Sequence, residues 1–262
     1  MKWAKPPLQR CIDYVHDADR ILDLCVEGLT YVSRRPGLVE ALVDVDRLDG
    51  TAPPEDEIQH LLDSTRERAK FAAQEIECGF PTLHAHTVVA LWGALDALVS
   101  DLMTSALLNE PSVLAGERFA RIKVPLAEYE RLGAEGRMAF LAAEVARAIS
   151  ADLKPGIGKF EALLENIGLA GAVDDAVRRN LLEMSEVRNL LVHRAGIVDS
   201  RFAAACPWLT PKLGDKRTVT HSDYARYNEA LHDYLFCLIN RVRGHFGIEP
   251  YQRPGRDERL AP

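Results

Sequence analysis

The chain has 262 residues, 47% of them hydrophobic and 27% charged, the make-up of an ordinary folded protein with apolar material for one large core or two small ones. Its net charge of −7 excludes a general nucleic-acid coat, which needs a basic surface to displace counterions, though it leaves room for a local basic patch. Five scattered cysteines (Cys11, Cys25, Cys78, Cys206 and Cys237) contain no Cys-x-x-Cys pair, so neither a zinc site nor a disulfide framework is expected and a reducing cytoplasm fits.

In chain order the signals are helical almost throughout. "MKWAKPPLQRC" has no apolar core and reads as no secretory signal. A first helix is expected from about Pro7 to Val32, stopping before Pro36 and Gly37. "LVEALVDVD" follows, then the loop "LDGTAPPED", the best internal boundary. A charged helix, "EDEIQHLLDSTRERAKFAAQEIE", leads to a break at Gly79–Pro81. The next helix, from Thr82 to about Leu108, is the most apolar of the chain. Leu91, Leu95, Leu98 and Leu102 recur at steps of three and four, and Asp96 and Asp101 interrupt the run, so it reads as a buried helix and no membrane partner is expected.

"KVPLAEYERLGAEGRMAFLAAEVARAIS" gives a helical pair or a bent helix, and "GKFEALLENIGLA" a short one ending at Gly168. Asp174 or Asp175 suits the start of a helix through "AVRRNLLEMSEVRNLLVH", with Gly196 just past its end. Residues 200–216 read as irregular, the last helix as Ser222 to His245, and the tail as disordered. The expectation is an all-α helical bundle, divided as 1–65, an N-terminal extension; 66–246, the helical domain; and 247–262, a disordered tail.

Two motifs are decoys. "PGIGKFE" lacks the Ser or Thr of a phosphate-binding loop, with Phe160 in its place. His84 and His86 point to opposite sides of a helix and read as polar positions at its start, unable to share an ion. Met103, Met184 and Trp92 read as core.

One stretch stands apart. Arg188 and His193 have the same kind of separation as Arg10…His16 and Arg226…His232, but only Arg188 is followed by asparagine. At 100° per residue, Glu186, Asn189 and His193 share a narrow sector of a helix that Val187, Leu190, Leu191 and Val192 make strongly apolar. Asn189 and His193 could simply satisfy each other and a neighbouring helix, or they could belong to a site.

"EVRNLLVHRAGIVDSRF", preceded by "GKFEALLENIGL" and followed by a Pro-rich loop and a last amphipathic helix, resembles the HEPN superfamily over residues 66–246. Arg188, Asn189 and His193 match its Arg, polar residue and His, and Asp96 is the nearest match to the acidic residue of the earlier core helix. The tyrosine two residues after the histidine, which is modified in some HEPN toxins, is replaced here by Ala195.

The resemblance implies a dimeric helical bundle that cuts RNA with no cofactor or metal, acting as a toxin or defence effector, with an antitoxin or partner defence protein as a possible companion. In that reading His193 exchanges a proton with a ribose hydroxyl, Arg188 takes the phosphate charge and Asn189 orients. Glu186 and Asp96 support, and Arg178, Arg179, Arg194 and Arg201 supply positive potential for RNA. The motif helix looks too apolar to stand at the surface of one chain, so a two-fold homodimer with the motif helices near its axis is expected. The alternative is a catalytically silent HEPN-like dimer that binds or regulates a partner protein.

Overall fold

The computed structural model describes residues 1–151 and 155–252, with the side chains of residues 150 and 151 left aside. The chain is all-α. Helices α1 (Lys5–Asp49), α2 (Glu55–Glu77) and α3 (Pro81–Asn109) fill its first 109 residues. Short helices α4 (Glu117–Ala120) and α5 (Leu126–Arg131) lead to α6 (Ala134–Ala151) and α7 (Gly158–Leu164). Then come α8 (Asp175–Arg194), α9 (Ser200–Ala205) and α10 (His221–His245). Three 3-10 turns, at Pro111–Ala115, Glu165–Ile167 and Pro207–Leu209, sit between them. Among the described residues no strand forms, and the one extended pairing is the isolated bridge Ile197–Lys216.

The apolar helix α3 is the axle of the body. By length and composition alone it could cross a membrane. Here Leu91, Leu95, Leu98 and Leu102 are buried, and α1, α6, α7, α8 and α10 all pack on it. Trp92 stacks on Phe160 of α7, and Met103 and Met184 fill the same core. Phe160, where a phosphate loop needs a hydroxyl, is thus a core residue, while Lys159 pairs with Asp96 at 3.8 Å. Trp3 also belongs to this core, and its indole donates to Glu110 at 2.7 Å, tying the chain start to the end of α3.

The largest departure from the sequence reading is α1. It does not stop at Val32 but runs on through Pro36 and Gly37 to Asp49, ended by Gly50 at φ 72°. An interior proline costs about 3 kcal/mol through a lost hydrogen bond and a ring clash. What offsets it is α2, which lies antiparallel along the second half of α1. Val43, Ile58, Ala69 and Ala72 are buried in this arm, outside the main core. Arg66 meets Glu40 at 2.7 Å and Arg47 meets Glu55 at 2.9 Å across it. The expected boundary at 65/66 falls inside α2, and the first turns of α1, with Leu8, Cys11, Val15 and Leu22, lie in the main core.

Three smaller differences follow. Residues 200–216 are not irregular throughout, since α9 is capped by Asp199, which accepts from the Phe202 amide at 2.9 Å. The reading of the tail as disordered from 247 is corrected for its first residues: Tyr251 exchanges hydrogen bonds with Asn240 and lies 3.8 Å from the Arg243 guanidinium. Residues 253–262 of that tail lie outside the described residues. His84 stands in the first turn of α3, as expected, but not as a solvated polar position. It is buried, stacks on Tyr224 at 4.8 Å, and neither ring nitrogen has a hydrogen-bond partner, whereas His86 is exposed.

Candidate functional site

Helix α8 opens at Asp174, whose carboxylate accepts from the amides of Ala176 at 2.8 Å and Val177 at 3.4 Å. Val177, Leu181, Met184, Val187 and Leu190 face the core, and Glu183 and Glu186 are buried with them. Towards its C-terminus the helix emerges. Arg188 and Asn189 are half-buried and His193, in the last turn, is exposed. The helix ends with Ala195 and Gly196 both in the left-handed region, at φ 51° and 82°. Gly196 is confined twice over, since a Cβ there would stand 3.2 Å from the Arg217 carbonyl oxygen. That carbonyl belongs to the strand-like return that pairs Ile197 with Lys216 and has the Arg217 amide donate to Gly196 at 2.8 Å.

The Arg188 guanidinium donates to Asn189 Oδ1 at 3.2 Å, while its buried Nε has no partner. Asn189 therefore pairs with Arg188 and not with His193, which makes no hydrogen bond or ion pair among the described residues. The premise that α8 is too apolar for the surface of a single chain is corrected here: its apolar side packs on α3 and α10, and its motif end already meets solvent.

The other expected site residues scatter. Glu186 is buried and meets Arg201 at 3.6 Å, and Arg194 meets Asp199 at 3.5 Å, so two of the four arginines stand near the motif but lean on carboxylates. Arg178 and Arg179 lie ten and nine residues before Arg188, about 14–15 Å along the helix axis. Arg179 stacks over Trp208 at 4.6 Å. Asp96 pairs with Lys159 and makes no contact with the motif. Lys216 is a basic residue the sequence reading missed; only the bridge to Ile197 carries it beside the end of α8, so no local signal could have shown it.

The sequence reading also missed the most elaborate polar cluster of the molecule. Glu183, fully buried, accepts from Arg226 at 2.6 and 3.0 Å, from the Tyr227 hydroxyl at 2.6 Å and from the Trp208 indole at 2.9 Å. Burial by itself would raise its carboxyl, but the hydrogen bonds from Arg226, Trp208 and Tyr227 outweigh this and hold it below the usual carboxylate range. Asp223 joins the cluster through Arg226 and Arg217, each at 3.0 Å, and forms a capping box with Thr220. This network locks α8 to α10 and to the turn at Trp208, under an open groove of about 650 Å³ lined by Arg179, Asn180, Trp208 and Arg226. A sign existed in the sequence: Glu183 falls on the apolar stripe beside Met184 and Val187, where an acid needs a cation. Its partner, 43 residues on, was not visible.

The two look-alike pairs resolve into structural roles. Arg226 belongs to Glu183, and His232 faces Asp19 at 3.7 Å; Arg10 is bound to Asp101 at 2.6 Å. In neither pair is the residue after the arginine an asparagine, although the Arg226 guanidinium also donates to Asn180 Oδ1 at 3.0 Å. Burial pushes the Cys11 thiol up to about 11 and Cys206 up to about 12, so neither is a poised nucleophile. Among the described residues no three His, Cys, Asp or Glu side chains gather as metal ligands. Comparisons with protein-family models, curated proteins and solved structures give no match.

Proposed function

We propose that the chain is a HEPN-type endoribonuclease that needs no metal, a cytoplasmic toxin or defence effector cutting RNA by attack of a ribose 2′-hydroxyl on the adjacent phosphate. The observation that carries the reading is the Arg188–Asn189 pair on the emerging end of a buried helix, with exposed His193 little more than one turn on. Asn189 positions the guanidinium, whose free terminal N–H donors serve a phosphate oxygen. His193 moves the proton. One imidazole cannot serve as base for the attacking hydroxyl and acid for the leaving oxygen in the same step, so the reading assigns the second role to His193 of a symmetric copy. An antitoxin or partner defence protein would meet the same end of α8.

The silent-module alternative draws on a separate fact: Glu186, the carboxylate nearest in sequence, is buried against Arg201 and offers no second proton carrier within one chain. The test is RNA cleavage in the presence of a chelator. His193→Ala and Arg188→Ala are expected to lose about a hundredfold or more of the activity, with the melting temperature of His193→Ala unchanged. His16→Ala and His232→Ala are expected to cleave normally. Equal cleavage by all three histidine variants, or loss of activity in chelator, overturns the reading.

A further inference from the structure

The arm carries a second apolar seam that no described residue covers. Ile21, Leu24, Tyr31, Leu38, Leu42 and Val45 of α1 are between 51 and 65% exposed. With Gly28 and Arg35 counted in, they follow one another at alternating steps of four and three, the spacing of a coiled-coil seam. The face that meets α2 is a different one, running through Val32, Val39 and Val43, which are buried or half-buried. The helix is thus apolar on two adjoining faces and has a partner for one. The six side chains expose on the order of 700 Å² per copy, close to the ~800 Å² that each partner contributes to a standard interface.

We propose that a second copy of this chain covers the seam, the two α1 helices crossing antiparallel about a two-fold axis between Gly28 and Tyr31, which sets Ile21 against Leu38 and Leu24 against Arg35 and brings Leu42 and Val45 to the other copy's Asp17 and Tyr14. Three features of the seam select this occupant and this direction. Gly28 has no side chain, which leaves a notch in the row of seam side chains one turn before the 61% exposed ring of Tyr31, and the space around it is open, with nothing within 4 Å of where a Cβ would stand. The two-fold seats each Tyr31 in the other copy's recess. Glu27 and Arg34 flank the seam, and neither has an ion-pair partner among the described residues; antiparallel pairing brings each Glu27 to the other copy's Arg34. Parallel pairing would instead stack Arg35 on Arg35 and leave two glycine recesses facing each other.

This contact lies on α1, away from the motif of α8, and does not rest on the ribonuclease reading; it is tested by mass and distance, not by cleavage. In analytical ultracentrifugation at micromolar concentration the full chain is expected to associate. The variant Tyr31→Glu/Leu38→Glu, altered only at exposed positions, is expected to sediment at half the wild-type mass with unchanged helicity. Gly28→Leu, which suits a helix better but fills the recess, is expected to weaken association about tenfold or more. With Cys25, Cys78 and Cys237 replaced by serine, spin labels at Leu48→Cys should lie about 55 Å apart, from 1.5 Å of rise per residue. A wild-type monomer, an unchanged mass for the double variant, undiminished association of Gly28→Leu, or a label distance under about 20 Å, the parallel result, overturns the proposal.

Discussion

The body and the arm are built from the same kind of helix and end differently. In the body, the apolar stripe of α3 has neighbours all along it: its leucines are sealed by α1, α6, α7, α8 and α10. In the arm, α1 and α2 pack mainly on each other, with Glu75 of α2 also bonded to Thr82 at the start of α3, and a whole seam from Ile21 to Val45 faces solvent. Apolar periodicity reports that a face wants covering; it does not report whether the same chain covers it. The difference is also electrostatic. Buried ionic networks, Glu183 with Arg226 and Glu161 with Arg241 and Tyr234, occur in the body, while the arm has exposed pairs worth well under about 1 kcal/mol each.

The largest effect should come from the body's network. Glu183→Ala would leave Arg226, Trp208 and Tyr227 facing an empty carboxylate site, and is expected to cost about 3–5 kcal/mol in chemical denaturation. A cost below about 1 kcal/mol would mean that water replaces the carboxylate and that the two regions differ less than their burial suggests. Next, Leu95→Ala in α3 is expected to cost about 2–5 kcal/mol, against less than about 0.5 kcal/mol for Leu48→Ala at the arm tip. Equal costs would show the tip to be covered in solution.

The smallest effect is a pH dependence. Burial, followed by the charge of neighbouring His221, lowers the His84 pKa below the ordinary 6.5, with Glu75 opposing. The unfolded chain therefore takes up this proton first as the pH falls. Stability is complete above pH 6.5 and declines as the pH drops from there towards the folded pKa. His84→Leu should flatten this slope in melts between pH 7 and 5, leaving the part due to His232, which burial lowers in the same sense. An unchanged slope would place the titrating group elsewhere.

Most helices were legible because their signals are local. Asp174 at the start of α8, Gly168 after α7 and the Gly79–Pro81 break act within a turn of themselves. Pro36 misled for the opposite reason, since its local cost is offset by α2, whose docking depends on residues 20 or more positions away. Asp199 as a cap was as readable as Asp174, but the Pro and Gly of the following stretch masked the short α9. Of the candidate site, Arg188 and Asn189 are joined as neighbours in sequence would be, while Arg178 and Arg179, grouped with them by charge, stand more than two turns away on α8, and Asp96, taken from the resemblance, pairs with Lys159 on another helix. Distance along the helix decided this, and residue type could not.

Helix α1 is common to both regions. It is 45 residues long, about 67 Å, and its first turns are wedged into the core through Leu8, Cys11 and Val15. On the α1 side no linker separates arm from body; the only turn between them is the Cys78–Phe80 connection from α2 to α3. The helix works as a lever: a load on the tip near Leu48 is carried by an unbroken backbone to the contacts of Trp3 and Arg10 with the far half of α3. Whatever grips the arm therefore also pulls on the core against which α8 is packed.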